Sequence, residues 1–157
     1  MEKYSRIKAL ISLDAIRYNF EQMKKNIKEG TKIIAVIKAD AYGHGAVPIA
    51  RMLEEFDYIW GFAAATAQEA LQLRKAGITR PILILGLVFE EYYKKLAEND
   101  VRMAVCDYET ARKFNKAAEE AGKKGLIHLA ADTGMTRIGF KDREESLEEI
   151  RRIAALP

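Results

Sequence analysis

Five short apolar runs recur along the chain: KIIAVIK (32–38), IWGFAAA (59–65), PILILGL (81–87), VRMAVC (101–106) and LIHLAA (126–131). None alternates strictly between apolar and polar residues, so each reads as a strand covered on both faces. Their starts, near residues 33, 59, 82, 102 and 126, are separated by roughly 20–26 residues. That is the length of one strand, one helix and two short loops. Strands joined through helices run parallel, and the crossovers are right-handed.

Helix signals fill the intervals. Thr66-x-x-Glu69 has the form of a capping box, followed by Ala70, Leu71 and Leu73 and closed by Gly77. Asp107 is placed to cap a helix carrying Ala111, Phe114, Ala118 and Ala121, with Gly122 at its end. Asp142-x-x-Glu145 predicts another capping box ahead of Leu147, Ile150 and Ala154. Ile16, Phe20, Met23 and Ile27 share one helical face, and IKALISL (7–13) reads as a short strand before them. The predicted class is α/β: about five βα units, preceded by a short strand and a helix, in a single domain over 1–157.

Two architectures satisfy this pattern, an open doubly wound sheet and part of a (βα)₈ TIM-type barrel. A complete barrel takes eight units and about 250 residues, whereas this chain has 157. No G-x-G-x-x-G follows a strand, which weakens the dinucleotide-binding form of the open sheet. A five-unit sheet would keep two apolar edges, and self-association is expected of it.

Composition excludes several functions. With 49% hydrophobic and 31% charged residues, 10 Gly and 3 Pro, the chain is neither collagen-like nor of low complexity. A net charge of +3, from 26 Lys+Arg against 23 Asp+Glu, leaves no electrostatic footprint for nucleic acid. No apolar run reaches the roughly 20 residues of a membrane span, and MEKYSRIKAL lacks the apolar stretch of a secretory signal. Cys106 stands alone, which excludes an intramolecular disulfide or a Cys-based zinc cluster, and its apolar neighbours predict a buried structural thiol. A reducing cytoplasm is the expected location.

The chemistry is expected where strands end. The first full strand runs into Lys38-Ala39-Asp40-Ala41-Tyr42-Gly43-His44-Gly45. Desolvation at such a place lowers a lysine's pKa, and a neutral amine is the nucleophile for a Schiff base with an aldehyde. Gly43 and Gly45 would let backbone amides approach a ligand, and a helix starting near Ala46 or Val47 would point its positive end there. Tyr42 adds a phenol able to bind phosphate. An amine beside an anion site suits pyridoxal phosphate. The plainer reading of the same residues is a snorkelling lysine and a Gly-x-Gly turn. The fifth strand runs into Asp132-Thr133-Gly134-Met135-Thr136-Arg137-Ile138-Gly139-Phe140. Arg137 is suited to a carboxylate or a phenolate oxygen, while Asp132 has the place of a turn-former with Gly134. Of the 2 histidines, His44 falls in a loop and His128 within a strand, where a hydrogen-bonded core role is expected. With no carboxylate cluster beside them, no metal site is predicted.

AVIKADAYGHG and HLAADTGMTRIGF closely resemble the two signature stretches of alanine racemases. ISLDAIRYNF, WGFAAATAQEALQLRKAGI and PILILG match the family in the same order, so the resemblance covers essentially the whole chain. It implies the first part, through strand five, of a βα barrel that is followed in the family by a β-rich domain. IKALISL would then pair in the sheet of that β domain. It also implies a cytoplasmic homodimer that interconverts L- and D-alanine with pyridoxal phosphate and so supplies D-alanine for peptidoglycan.

By resemblance, Lys38 is the cofactor-binding lysine and one of two catalytic bases, and Tyr42 contacts the cofactor phosphate. Leu85 lines the cofactor pocket, and Arg137 lies near the phenolic oxygen and the substrate carboxylate. The second base, a tyrosine of the partner subunit's β domain, falls outside this sequence, so the chain alone is expected to be at most feebly active. One departure concerns Ala130, where many members have a lysine, often carbamylated, that holds the arginine. The alternatives are a non-catalytic pyridoxal-phosphate-binding or structural fragment, or a relative acting on another amino acid such as serine. The AYGHG form favours a racemase over the decarboxylases built on similar barrels.

Overall fold

A computed structural model describes residues 7–157. Its elements are α1 (Leu13–Lys25), β1 (Ile33–Val36), α2 (Lys38–Gly43), α3 (Ala46–Leu53), β2 (Ile59–Ala64), α4 (Ala67–Lys75), β3 (Ile82–Ile84), α5 (Tyr93–Glu98), β4 (Val101–Val105), α6 (Tyr108–Glu120), β5 (Ile127–Leu129) and α7 (Glu144–Ala154). The five apolar runs become the five strands. All pair in parallel, in the order β1-β2-β3-β4-β5.

That order decides between the two architectures. A doubly wound sheet reverses direction at a switch point and so places helices on both faces. Here each strand lies beside its predecessor and the order never reverses. Right-handed crossovers stepping one way place the helices on a single face. The protein is therefore α/β with a five-stranded arc of a TIM-type barrel. None of the helices among the described residues is long and apolar enough to cross a membrane.

The core fills the space between that arc and its helices. Phe62, Ile82, Ile84, Val101, Met103 and Val105 from the sheet meet Leu53, Leu73, Leu96 and Phe114 from the helices, all essentially buried. The helix-free face is more open. On it Ile34 and Val36 are 37% and 44% exposed. The expectation of strands covered on both faces holds for β3 but not for β1 or β5. On this open face Arg102 lies over the Trp60 ring at 5.1 Å, and Trp60 meets His128 with ring centroids 5.7 Å apart. His128 is thus a half-buried stacking residue, not the hydrogen-bonded core histidine expected. Burial, then the charge of Arg102, pushes its imidazole below the ordinary value.

Other local expectations divide. Thr66 and Asp107 cap α4 and α6, accepting from the N–H groups of Glu69 (3.3 Å) and Thr110 (2.7 Å). Residues 7–12 form no strand, because no described strand lies alongside to share backbone hydrogen bonds; instead Ser12 caps α1 by accepting from Ala15 N–H at 3.1 Å. Asp142 does not cap α7. The N-cap is Arg143, one residue later, with no side-chain bond to the helix. Ile16 and Phe20 pack on the core, but Met23 is 44% exposed, because α1 covers only the margin of the sheet. Cys106 is a free thiol and only partly buried, since it lies just past β4 where the chain leaves the core.

The loops entering the strands are held by cations. Arg80 donates to the carbonyls of Glu54 (2.8 Å), Phe56 (2.8 Å) and Ile59. Arg74 donates to those of Ile78 (2.8 Å), Arg80 (2.8 Å) and Asn99 (2.9 Å). Glu54 completes the lattice by accepting from Thr79 N–H at 2.7 Å and Arg80 N–H at 2.9 Å. Burial alone would raise its carboxyl, yet these bonds hold it below the ordinary carboxylate range.

β2 also approaches β3 unusually closely at Gly61. A Cβ there would be driven into the Pro81 carbonyl oxygen and would lie 3.1 Å from the Pro81 Cβ. Gly61→Ala should therefore lower stability by about 1–3 kcal/mol through overpacking. Urea unfolding measures this, and an unchanged midpoint would contradict the close approach.

Candidate active site

Lys38 is half-buried and follows β1 by two residues, beyond the buried Ile37. What comes next is not an ordinary helix. Ala39, Asp40, Ala41 and Tyr42 all have positive φ, between 51° and 55°, with ψ between 37° and 48°. α2 is thus a turn of left-handed helix made from non-glycine residues. Each such residue costs roughly 1–2 kcal/mol relative to a right-handed one. Gly43 and Gly45, with φ of 85° and 92°, carry the chain out into α3.

A strained turn persists only where its surroundings over-determine it. Several bonds do so here. Ala41 N–H donates to the Ile37 carbonyl at 2.9 Å, and Gly45 N–H to that of Asp40 at 2.8 Å. The Asp40 carboxylate accepts from Ala46 N–H at 2.7 Å. The His44 ring, through Nδ1–H, donates to the Ala41 carbonyl at 3.1 Å. Glu69 of α4 accepts from Ala39 N–H at 2.9 Å and from Ala65 N–H at 2.7 Å. The expected anion cradle is thereby corrected. The Gly45 and Ala46 amides are already engaged by Asp40, so the two glycines serve the turn itself.

Tyr42 projects from this turn with 62% of its surface exposed. Leu85 leaves β3 at the same end of the sheet, its N–H donating to the Ala64 carbonyl at 2.9 Å. Arg137 lies on the loop after β5 and is exposed. That loop is closed at its base, where Phe140 N–H donates to Ala130 at 2.8 Å and Asp132 N–H to Phe140 at 2.9 Å. Gly139 is required there, because a Cβ would sit 2.5 Å from the Asp132 nitrogen. The Asp132 carboxylate accepts from Gly134 N–H (3.0 Å) and Thr136 N–H (2.9 Å), so the expected turn forms. These two bonds, Thr136 first, hold its carboxyl below the ordinary aspartate range.

The fold thus gathers Lys38, Tyr42, Leu85 and Arg137 at the C-terminal ends of β1, β3 and β5, the end at which barrel enzymes carry their chemistry. Among the described residues, no hydrogen bond or ion pair joins the four to one another, and Arg137 forms neither. Two contributors were not legible as such. Asp40 lies inside the quoted motif without an assigned task. Glu69 was visible only as half of a capping box, which gives no hint of its bond to Ala39.

A sequence model of the N-terminal domain of alanine racemase matches residues 11–157. The chain belongs to the alanine racemase family. It is 41% identical over 148 residues to an alanine racemase of Methanococcus maripaludis, which covers 94% of this chain and 39% of that protein. Its fold superposes on a solved alanine racemase of Clostridium difficile 630 in complex with cycloserine, with a TM-score of 0.90 and 44% identity over 94% of this chain and 40% of that one. A histidine racemase of Leuconostoc mesenteroides is also similar, at a TM-score of 0.81 and 32% identity, covering 93% of this chain and 39% of that one. The chain therefore spans about two fifths of the length of these alanine racemase relatives.

Two outcomes follow for this family member. Ala39 is exposed, so its side chain tests the backbone alone. Ala39→Gly should leave stability within about 1 kcal/mol of the starting protein, whereas Ala39→Val, β-branched in a left-handed position, should cost clearly more. Equal midpoints in urea would contradict the left-handed turn. Asp132 stabilises its loop fully above the ordinary aspartate range, and that contribution is lost as pH falls through its lowered pKa. Amide protection within 132–139, taken relative to the intrinsic exchange rate at each pH, should fall on acidification in the native protein. It should be lower, and flatter with pH, in Asp132→Asn.

Proposed function

We propose that the full-length protein to which this chain belongs is an alanine racemase that interconverts L- and D-alanine with pyridoxal phosphate. The observation that carries this reading is Lys38, set at the end of β1 on a braced left-handed turn that faces the same end of the sheet as the Arg137 loop. The donor set fits the cofactor. A primary amine suits its aldehyde, the exposed phenol of Tyr42 suits its phosphate, and the exposed guanidinium of Arg137 suits its phenolate.

When bound, pyridoxal phosphate supplies the electron sink that makes the Cα–H of an amino acid acidic. In this reading the Lys38 Nζ would hold the cofactor and would move the Cα proton on one face. Tyr42 would hold the phosphate, and Leu85 would line the cofactor pocket. Arg137 would orient the phenolic oxygen and the substrate carboxylate. Its usual family partner is replaced by Ala130, whose methyl cannot pair with it. Here Asp132 shapes the loop that carries Arg137 through the Gly134 and Thr136 amides, and the guanidinium has no side-chain partner among the described residues. The opposite face needs a second base, contributed in the family by the other subunit of a homodimer. Residues 1–157 then form the N-terminal part of the barrel domain of a cytoplasmic enzyme.

A second reading keeps the chemistry and changes the substrate. The histidine racemase likeness, at 32% identity, favours testing other amino acids, serine among them.

Reduction of the full-length protein with borohydride in the presence of pyridoxal phosphate should label Lys38 alone. Lys38→Ala should lower kcat/KM for alanine by at least about 10²-fold, the lower bound for loss of one general base. A chiral assay across alanine, serine and histidine assigns the substrate. Labelling scattered over other lysines, or full activity in Lys38→Ala, would refute the reading. The 157-residue chain alone should show only residual turnover.

A further inference from the structure

We propose that Glu69 is a positioning residue for Lys38, acting through the peptide bond that joins Lys38 to Ala39. The proposal rests on the reading of Lys38 as the reactive lysine and extends it to the β2–α4 junction.

In a capping box, the acid at the third helical position returns to the N–H of its own cap residue. Glu69 does otherwise. Its Oε2 accepts from Ala65 N–H at 2.7 Å, one residue before the cap, and its Oε1 accepts from Ala39 N–H at 2.9 Å. The hydroxyl of Thr66 alone caps α4, accepting from Glu69 N–H at 3.3 Å. The carboxylate is therefore a bridge between the loops that follow β1 and β2. On one side it holds the first residue of the left-handed turn.

Within the protein that amide bonds to Glu69 alone, and because Ala39 is exposed the N–H would pass to water in its absence. Ile37 N–H is bonded across the sheet to Ala63, and Ala41 N–H closes the turn onto Ile37. Ala39 N–H lies between them, pointing out of both networks. The left-handed turn is uphill for every non-glycine residue in it. Without the bridge, the Lys38–Ala39 peptide loses its tie to α4 and has a downhill route to ordinary dihedrals. The lysine would then be aimed from a different backbone. Misplacement of a reacting group by about 1 Å costs on the order of 10²-fold in rate.

The test compares Glu69→Ala, Glu69→Gln and Thr66→Ala in the full-length protein. Thr66→Ala removes the cap of the same helix but leaves the Ala39 bond in place, so it controls for simple loss of helix stability. The first readout is amide exchange of the peptide spanning 38–45. The second is the rate at which Lys38 captures pyridoxal phosphate, trapped with borohydride and mapped by mass.

Loss of a charge-assisted bond should speed Ala39 exchange about tenfold or more in Glu69→Ala. Capture at Lys38 should slow by a similar factor. Glu69→Gln, which retains one carbonyl acceptor for two donors, should fall between. Thr66→Ala should change both readouts several-fold less than Glu69→Ala, as its bond to Glu69 N–H leaves the carboxylate bridge intact.

Unchanged exchange and capture in both Glu69 variants would overturn the proposal. So would equal losses in Thr66→Ala, since the role would then be helix stability alone. If Glu69→Ala fails to fold, Glu69→Gln against Thr66→Ala makes the same comparison. Absence of capture at Lys38 in the unsubstituted protein would refute the cofactor reading instead. In that event faster Ala39 exchange in Glu69→Ala would still support the bridge, and unchanged exchange would overturn it.

Discussion

Because all five strands run in one direction, the N-termini of the helices that follow them gather at one end of the sheet and the C-termini at the other. Helix N-termini leave N–H groups unpaired, and C-termini leave carbonyls. The side chains that satisfy them divide accordingly. At the end where strands finish, Glu69, Asp40, Asp107 and Asp132 accept from backbone N–H groups. At the end where strands begin, Arg74, Arg80 and Lys32 donate to backbone carbonyls. Glu54 is the exception, a carboxylate among the arginines that takes two N–H groups of the loop before β3. The sorting matches the helix dipoles, which favour anions at N-termini and cations at C-termini.

This polarity separates support from chemistry. The arginine-stapled end fixes the loops into the strands and so sets their register. The carboxylate-braced end is the one on which Lys38, Tyr42 and Arg137 are placed. There the chain concentrates its strain: among the described residues the one other non-glycine at positive φ away from that end is Asp100, just before β4. Four non-glycine residues at positive φ after Lys38 are held by bonds from the turn itself, from α3 and from α4. The second loop uses the same device on a smaller scale, with Thr136 at positive φ beneath the Asp132 carboxylate. Both loops are braced by a short acidic side chain and a few amides.

Much of this was open to a reader of the chain alone. The five apolar runs, the Thr66 and Asp107 caps and the Asp132 turn all depend on neighbours in sequence, and all formed. Expectations that depended on distant partners fared differently. IKALISL has the apolar content of a strand but no described strand to pair with. His128 sits in an apolar run, yet its strand's free face makes it a stacking residue beside Trp60. Ala39, Asp40, Ala41 and Tyr42 carry no local signal for positive φ, since such a turn is imposed from outside. Glu69 announced a cap, and its second bond, thirty residues away in sequence, could not be anticipated from spacing.

The amino-acid sequence by itself determined the repeat of strand and helix, the placing of Lys38 and Arg137 beyond strand ends, and the likeness to alanine racemases. These follow from local pattern: hydrophobic period, capping residues and short contiguous motifs. The likeness implied part of a barrel, which composition and periodicity left open, and the tertiary structure showed the arc directly, because strand order is a fact about which edges meet. Tertiary structure alone decided which face of each strand is buried, and that the lysine stands on a left-handed turn tied to the next βα loop. Each of those rests on contacts between segments far apart in the chain, whose energies no local pattern encodes.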